Sequence, residues 1–333
     1  MPENRRAESP QLAGLGERKI VEMMISKIRS SAAVPLGDDC GGVEIDGRLL
    51  LLSTDTKTAD AHFPSQFTFR DMGWVLAAAN LSDIAAMGGR PVAFLVAYGL
   101  PVETALDDLE KIQDGILACL ERYDTPLLGA DTKENRCLTL TGTAVGIIDK
   151  ERVLLRSGSS PGDLLCVTGR LGGAALGLKS MTEGSGLETA EERLRRPEPR
   201  IDEGMLLASS GKVTSCIDIS DGLSSSLYEL MRSSHSGFEV DASNVPLHAS
   251  LRESGMEEQE MIQMALHSGD EYELLFTVGE EHIDSLRKSF QTKNLIDFEI
   301  IGRVIDKEKI VLRNEGVGTE LEDLGYRHFM RLR

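Results

Sequence analysis

The chain has 333 residues, too many for one ordinary compact domain and comfortable for two. Apolar residues make up 41%, enough for a packed core in each half. A formal charge of −18 argues against a nucleic-acid partner, and no apolar run approaches the roughly 20 residues that span a bilayer. Cys40, Cys119, Cys137, Cys166 and Cys216 lie far apart with no C-x-x-C pair, which suits a reducing compartment and disfavours both a zinc site and a disulfide framework. The first residues carry Arg5, Arg6, Glu17, Arg18, Lys19 and Glu22 with no apolar signal core, so a cytoplasmic protein is expected.

In chain order, Arg48–Ser53 reads as a strand. Asp71–Met87 reads as a helix rich in Ala and Leu, stopped at Gly88-Gly89. Val92–Tyr98 is a strand candidate, and Ala105–Tyr123 places Leu109, Ile112, Ile116 and Leu120 on one helical stripe. Leu127–Gly129 and Cys137–Ile148 follow as strands. The second is long and β-branched, so as an unpaired edge it would invite aggregation; a place in a homodimer interface is expected for it. The stretch R-S-G-S-S-P-G, Arg156 to Gly162, breaks the pattern, and the chain divides into expected domains at 1–157 and 158–333. Beyond it, strands are expected at Leu164–Thr168, Val213–Ile219, Glu271–Val278 and Phe298–Val304. Helices are expected at Gly172–Met181, Ile201–Ser210, Asp221–Arg232, Met256–His267 and Glu280–Phe290, with a polar loop over Thr182–Glu192. The fold class is α/β (α+β) in two domains.

The usual phosphate signatures are missing: there is no G-x-x-x-x-G-K-[ST], no strand–G-x-G-x-x-G–helix and no kinase H-R-D or D-F-G. Aspartates recur instead where strands end or helices turn. They stand in Gly37-Asp38-Asp39, Ser53-Thr54-Asp55, Asn80-Leu81-Ser82-Asp83, Gly129-Ala130-Asp131-Thr132 and Asp218-Ile219-Ser220-Asp221-Gly222. Taken singly, Asp38, Asp131 and Asp221 read as turn or helix-cap residues, and Asp55 as a loop cap. Asp83 is different, because its alanine-rich helix is closely packed and a carboxylate there needs a partner. Magnesium takes hard oxygen ligands from a few carboxylates together with phosphate oxygens and water. Phosphoryl transfer needs positioning and charge neutralisation more than covalent help. The pattern therefore points to a magnesium-dependent enzyme using ATP. Thr168-Gly169-Arg170-Leu171-Gly172-Gly173 opens a helix whose amides suit either an anion or an ordinary tight turn. Arg156 is a cation candidate at the junction, and His62 lies in a loop.

These stretches resemble the thiamine-monophosphate kinases, within the superfamily of aminoimidazole ribonucleotide synthetase. The resemblance rests on G-D-D-C at Gly37–Cys40, S-T-D-T at Ser53–Thr56 and N-L-S-D-I-A-A-M-G at Asn80–Gly88. It continues through R-S-G at Arg156–Gly158, P-G-D at Pro161–Asp163, R-P-E-P-R at Arg196–Arg200, D-I-S-D-G-L at Asp218–Leu223 and Y-E-L-L-F-T at Tyr272–Thr277. The resemblance implies the two-domain aminoimidazole ribonucleotide synthetase-like fold, with the N-terminal domain forming a dimer-interface β-barrel. It also implies ATP and several Mg2+ ions between the domains, and direct transfer of the γ-phosphoryl group to thiamine monophosphate. By motif, Asp38, Ser53, Thr54, Asp55, Asp83, Asp131, Asp218 and Asp221 would hold magnesium. Among these, Asp55, Asp83, Asp131 and Asp221 would serve catalysis. Tyr98, Ala130, Asp131, Arg156 and Ser220 would contact ATP, and His62, Asp270 and Asp323 the acceptor.

Three positions depart from the family pattern. Ala130 replaces a usual glycine, Asp270-Glu271 replaces Glu-Asp, and Asp323 stands where an aromatic often precedes the segment Leu324-Gly325-Tyr326. The enzyme rival is a superfamily member acting on an aminoimidazole-type ribonucleotide, and the non-enzyme rival is an ATP-binding module without turnover. A selenophosphate synthetase is disfavoured because no Cys precedes Cys40. The hydrogenase-maturation relative is disfavoured because Arg327–Arg333 contains no Cys.

Overall fold

The computed structural model describes residues 12, 15–28 and 32–327. Its first half runs α1 (Glu17–Ile25), β1 (Gly41–Ile45), β2 (Arg48–Thr58), α2 (Ala59–His62), α3 (Phe69–Ala86), β3 (Arg90–Leu100), α4 (Leu106–Arg122), β4 (Leu127–Glu134) and β5 (Thr139–Asp149). The centre of this half is α3. Thr68 and Asp71 start it with a reciprocal capping box, and within it only Phe69, Arg70, Met72 and Asp83 fall short of full burial. A helix apolar on every side must be covered on every side. Here α4, the sheet strands β2 and β5, and from the second half α7 (Ile201–Ser210) and β7 (Val213–Asp218) surround it. Glycine allows the close approaches: a Cβ at Gly115 of α4 would lie 2.0 Å from the Arg70 carbonyl oxygen.

The first sheet has the order β1-β2-β5-β3-β4, antiparallel except for the parallel pair β3 and β4. The strand β5 is therefore the middle of the sheet and not an edge. It pairs with β2 from Arg48↔Asp149 to Thr58↔Thr139 and with β3 on its other side. Its Leu140, Gly142, Ala144, Gly146 and Ile148 form the buried face, where only glycine leaves room for Asn80 and Ile84 of α3. The sheet of one chain is open, with β1 and β4 as edges, and closes no barrel on its own.

The second half runs β6 (Leu164–Thr168), α5 (Gly173–Glu183), α6 (Glu188–Arg195), α7 (Ile201–Ser210), β7 (Val213–Asp218), α8 (Leu223–Ser234), β8 (Gly237–Asp241), α9 (Ala249–Glu253), α10 (Glu258–His267), β9 (Leu274–Val278), α11 (Ile283–Thr292), β10 (Phe298–Ile305), β11 (Ile310–Asn314) and β12 (Val317–Glu320). The seven strands order as β12-β11-β8-β10-β6-β9-β7. One apolar cluster runs from Leu49 and Ile84 through Leu207 and Cys216 to Phe276 and Phe298, so packing joins the two sheets directly. A Cβ at Gly204 of α7 would sit 2.1 Å from the Ala85 carbonyl oxygen, which shows how closely α7 rides on α3. Among the described residues, no helix is long and apolar enough to cross a membrane.

Three expectations need correction. Thr182–Glu192 is not all loop: α6 forms because Ala190 and Leu194, four residues apart, are buried, with Ala190 against Gly177. The strand expected at Glu271 begins at Leu274, since Asp270 and Tyr272 have φ of 61° and 52° and cannot join a ladder. The strand expected over Leu127–Gly129 runs on to Glu134, so Ala130 and Asp131 lie within β4 and not in a turn after it.

Candidate active site

Three carboxylates from three separate elements meet. Asp39 precedes β1, Asp83 projects from α3, and Asp218 ends β7; one oxygen of each lies within 4.8 Å of the others. Each is oriented by a neighbour. Ser53 Oγ donates to Asp83 Oδ2, and Ser82 Oγ donates to Asp218 Oδ2 at 2.5 Å. Arg156 Nε donates to Asp39 Oδ1 at 3.2 Å. The second Asp39 oxygen is buried without a hydrogen-bond partner among the described residues. A buried carboxylate oxygen left unpaired is costly, and three hard-oxygen donors converging there fit a divalent cation such as magnesium.

The electrostatics agree with that reading. Burial, then the charges of Asp55, Asp218 and Asp39, push the Asp83 carboxyl well above the ordinary carboxylate range. Burial and Asp39 raise Asp218 to about 7. Asp39 is raised by burial against the opposing pull of Arg156, and Asp38 reaches about 7 through burial and the charge of Asp39. Like charges gathered in a low dielectric resist ionising together, and a cation between them removes that cost.

The cluster lines a cavity of about 1180 Å³. One wall is β2, where Ser53, Asp55 and Lys57 alternate with Thr54 and Thr56, and all five line the space. The Asp55 amide donates to Asn80 Oδ1 at 3.1 Å, which fixes the strand on α3. Beyond β2 the chain turns through α2 to His62, whose Nδ1 accepts from the Thr58 amide at 3.0 Å. The opposite wall carries Ser220, Asp221, Asp270, Tyr272 and Tyr326, and Arg156 lines the cavity as well. The Asp270 amide donates to the Ser220 carbonyl at 2.7 Å, and the Tyr326 amide donates to that of Asp221 at 3.0 Å.

Several residues expected here lie elsewhere. Asp38 is turned away from the cavity: its carboxylate accepts from the amides of Asp39 and Arg156 at 3.0 and 3.2 Å. Asp131 sits exposed on the edge strand β4 with Lys133 at 3.3 Å, and neither it nor Ala130 lines the cavity, because β4 continues past them. Tyr98 belongs to the apolar core, its hydroxyl buried without a partner among the described residues and its pKa pushed up by burial to about 12. Asp323 also stands outside the lining. Ser225 Oγ donates to it at 2.7 Å, and Arg327 and Arg18 flank it at 2.7 and 3.4 Å, which lowers its pKa against the effect of burial. Tyr326, three residues on, lines the cavity.

The glycine-rich start of α5 holds no free anion site. Glu271 Oε1 already accepts from the Gly172 and Ala174 amides at 2.7 and 3.3 Å. A second cavity of about 600 Å³ is lined by five arginines, of which four are ion-paired within the protein and Arg170 donates to the Leu247 carbonyl at 3.3 Å. Arg193 and Arg200 engage Glu273, Arg196 engages Asp71, and Arg122 engages Glu198. Sequence reasoning missed Asp39, Lys57 and Tyr272 as site residues. The Asp38-Asp39 pair was visible, but only the folded loop shows which side chain turns inward.

The chain matches two family models: "AIR synthase related protein, N-terminal domain" over residues 37–148, and the corresponding C-terminal domain over residues 160–314. It is 36% identical to the thiamine-monophosphate kinase of Pyrococcus horikoshii, covering 94% of this chain and 96% of the relative. Against the thiamine-monophosphate kinase of Escherichia coli K12 the identity is 33%, over 94% of this chain and 98% of the relative. The solved structure of AaThiL complexed with AMPPCP and TMP superposes with a TM-score of 0.85 at 26% identity, covering 97% of this chain and all of that one.

Proposed function

The chain belongs to the thiamine-monophosphate kinase family, and from that premise and the geometry of its site we propose that it transfers the γ-phosphoryl group of ATP to thiamine monophosphate, giving thiamine diphosphate and ADP. The observation that carries the reading is the meeting of Asp39, Asp83 and Asp218 beside a cavity of about 1180 Å³. Ligand pockets commonly run to about 300–1,000 Å³, so this one has room for a nucleotide and an acceptor together. A relative of the same fold is solved with AMPPCP and TMP, which supports that pairing of ligands.

Asp39, Asp83 and Asp218, with Asp55, Asp221, Ser53 and Thr54 on the walls, would hold magnesium, which supplies charge neutralisation for the phosphates when bound. The protein's own part is positional. Ser53 and Ser82 aim two of the carboxylates, and Arg156 holds Asp39 while facing the cavity. Ser220 and Arg156 are the lining residues best placed by motif for ATP, and His62, Asp270 and Tyr326 for the acceptor. With both phosphates held in one cavity, the reaction requires in-line approach and no covalent intermediate on the protein.

A homodimer formed through the first sheet belongs to this reading. The register puts Val43, Ile45, Leu52, Leu95 and Val145 on the sheet face turned away from α3, and the first four are exposed. Apolar side chains gathered on one open sheet face suit a second copy, and two such sheets would close the barrel that one cannot. We set the domain boundary at 157/158, between the end of β5 at Asp149 and the start of β6 at Leu164. A cytoplasmic location, where ATP and magnesium abound, goes with this activity. The test is incubation of pure protein with ATP, magnesium and candidate acceptors, followed by product mass. Thiamine diphosphate with one ADP per turnover is expected. Turnover only with a formylglycinamidine-type ribonucleotide, or with no acceptor at all, would overturn the reading.

A further inference from the structure

Two lysines line the cavity, and of these Lys179 is ion-paired with Glu260 at 3.2 Å. Lys57 follows Asp55 by two residues on β2, so the two side chains share a strand face about 6.7 Å apart. Its side chain is 15% exposed. Lys57 Nζ donates to the Tyr272 hydroxyl at 3.3 Å and stands 3.8 Å from Asp270 Oδ1, while the Tyr272 hydroxyl donates to that same carboxylate oxygen at 2.8 Å. An ammonium has three N–H donors. Among the described residues, the tyrosine is the only partner at hydrogen-bonding distance, so the group is held but not saturated.

The partners are themselves placed at a conformational cost. Asp270 and Tyr272 both occupy the left-handed region, at φ 61° and 52°, on either side of Glu271. Glu271 is fully buried and pinned at the start of α5 by two amides. Left-handed backbone at two non-glycine residues persists only where the surroundings dictate it, and such positions gather at functional sites. The pin on Glu271 turns the side chains before and after it into the cavity, where they meet Lys57.

Lys57 faces a space lined by carboxylates, on the side of Asp55 that leads to His62 and not to Ser53. The carboxylate cluster and Ser53 define the metal end. A phosphate that must approach a nucleotide from the other end needs its own counter-charge, and Lys57 is the lysine on that stretch of wall. We infer that Lys57 binds the phosphate of the phosphoryl acceptor, oriented for it by Tyr272 and Asp270. This rests on the kinase reading given above.

The experiment is steady-state kinetics on the full chain with ATP and thiamine monophosphate varied in turn, for wild type, Lys57→Met, Lys57→Arg and Tyr272→Phe. Loss of a charge-assisted contact made to the acceptor should raise the KM for thiamine monophosphate about 10- to 100-fold in Lys57→Met, with the KM for ATP within about threefold of wild type. Lys57→Arg should recover most of the loss, and Tyr272→Phe should show a smaller rise in the same constant. If Lys57→Met does not fold, the arginine and phenylalanine variants carry the comparison: Tyr272→Phe with an unchanged acceptor KM overturns the inference. So does an unchanged acceptor KM in Lys57→Met, or a parallel loss for both substrates that arginine does not recover. Wild-type protein that makes no thiamine diphosphate sinks the kinase reading itself, whereas an active wild type with an indifferent Lys57→Met sinks only the role of Lys57.

Discussion

Asp83→Asn should stabilise the metal-free protein and abolish its activity. The substitution keeps shape and an oxygen able to accept from Ser53, but removes one of three carboxylates whose oxygens lie within 4.8 Å of one another. At that separation, and with an effective dielectric of about 20, a like-charge pair costs about 3 kcal/mol. Protonation limits the cost actually borne, because the Asp83 pKa is raised well above its ordinary value by burial and by Asp55, Asp218 and Asp39. A gain of about 1–3 kcal/mol is therefore expected near pH 8, and about 2–4 °C in Tm per kcal/mol for units of this size. The sign with pH follows. A carboxyl whose folded pKa is raised loses stability as pH rises above its unfolded value, so the benefit of Asn is largest in alkaline buffer and fades toward pH 4. Activity runs the other way, since the carboxylate exists to meet positive charge, and kcat should fall by a factor of about 10³ or more. Scanning calorimetry with chelator present gives the first quantity, and coupled ADP release at saturating magnesium the second. A Tm at or below wild type in metal-free buffer, or activity within tenfold of wild type, would refute the reasoning.

Glu271→Gln tests the buried pin at the start of α5. Its carboxyl is raised from 4.5 to about 7 by burial, partly offset by Arg193, so the folded state is penalised by about 3 kcal/mol above pH 7 and not at all below 4.5. The Tm of the variant relative to wild type should therefore rise by several degrees between pH 5 and pH 8.5; a difference independent of pH would contradict the assignment. The open face of the first sheet predicts a dimeric mass at micromolar concentration. Leu52→Lys combined with Leu95→Lys should shift the protein toward monomer, and a fully active wild-type monomer would remove the basis for that interface.

What could be read from the sequence depended on how local the cause was. Asp83 was legible because the alanines around it announce a closely packed helix, in which a carboxylate has to be answered by something. Asp218 was legible because the aspartate-rich segment ends an apolar strand. Asp39 was not separable from Asp38, since the choice between neighbouring side chains is made by a loop and by Arg156, over a hundred residues away in the chain. The same distance problem hides the setting of Asp323, which Arg18, Ser225 and Arg327 engage from distant and neighbouring parts of the chain. The sequence puts Ala130 and Asp131 in a turn, whereas β4 gains its last residues from pairing with β3, a tertiary effect that polar residues such as Thr132 and Lys133 do not advertise. The helix α6 was missed for a related reason: its sequence is mostly charged, and its two buried residues matter only once Gly177 offers them a surface.

The account turns on where the γ-phosphoryl group of ATP goes. Incubating the protein with ATP labelled in that group, magnesium and thiamine monophosphate, then separating the products, answers it directly. The label should appear in the terminal phosphate of thiamine diphosphate, matched mole for mole by unlabelled ADP, and in no inorganic phosphate above the background of ATP alone. Label released as inorganic phosphate, or left in ATP while thiamine monophosphate stays unchanged, would contradict it.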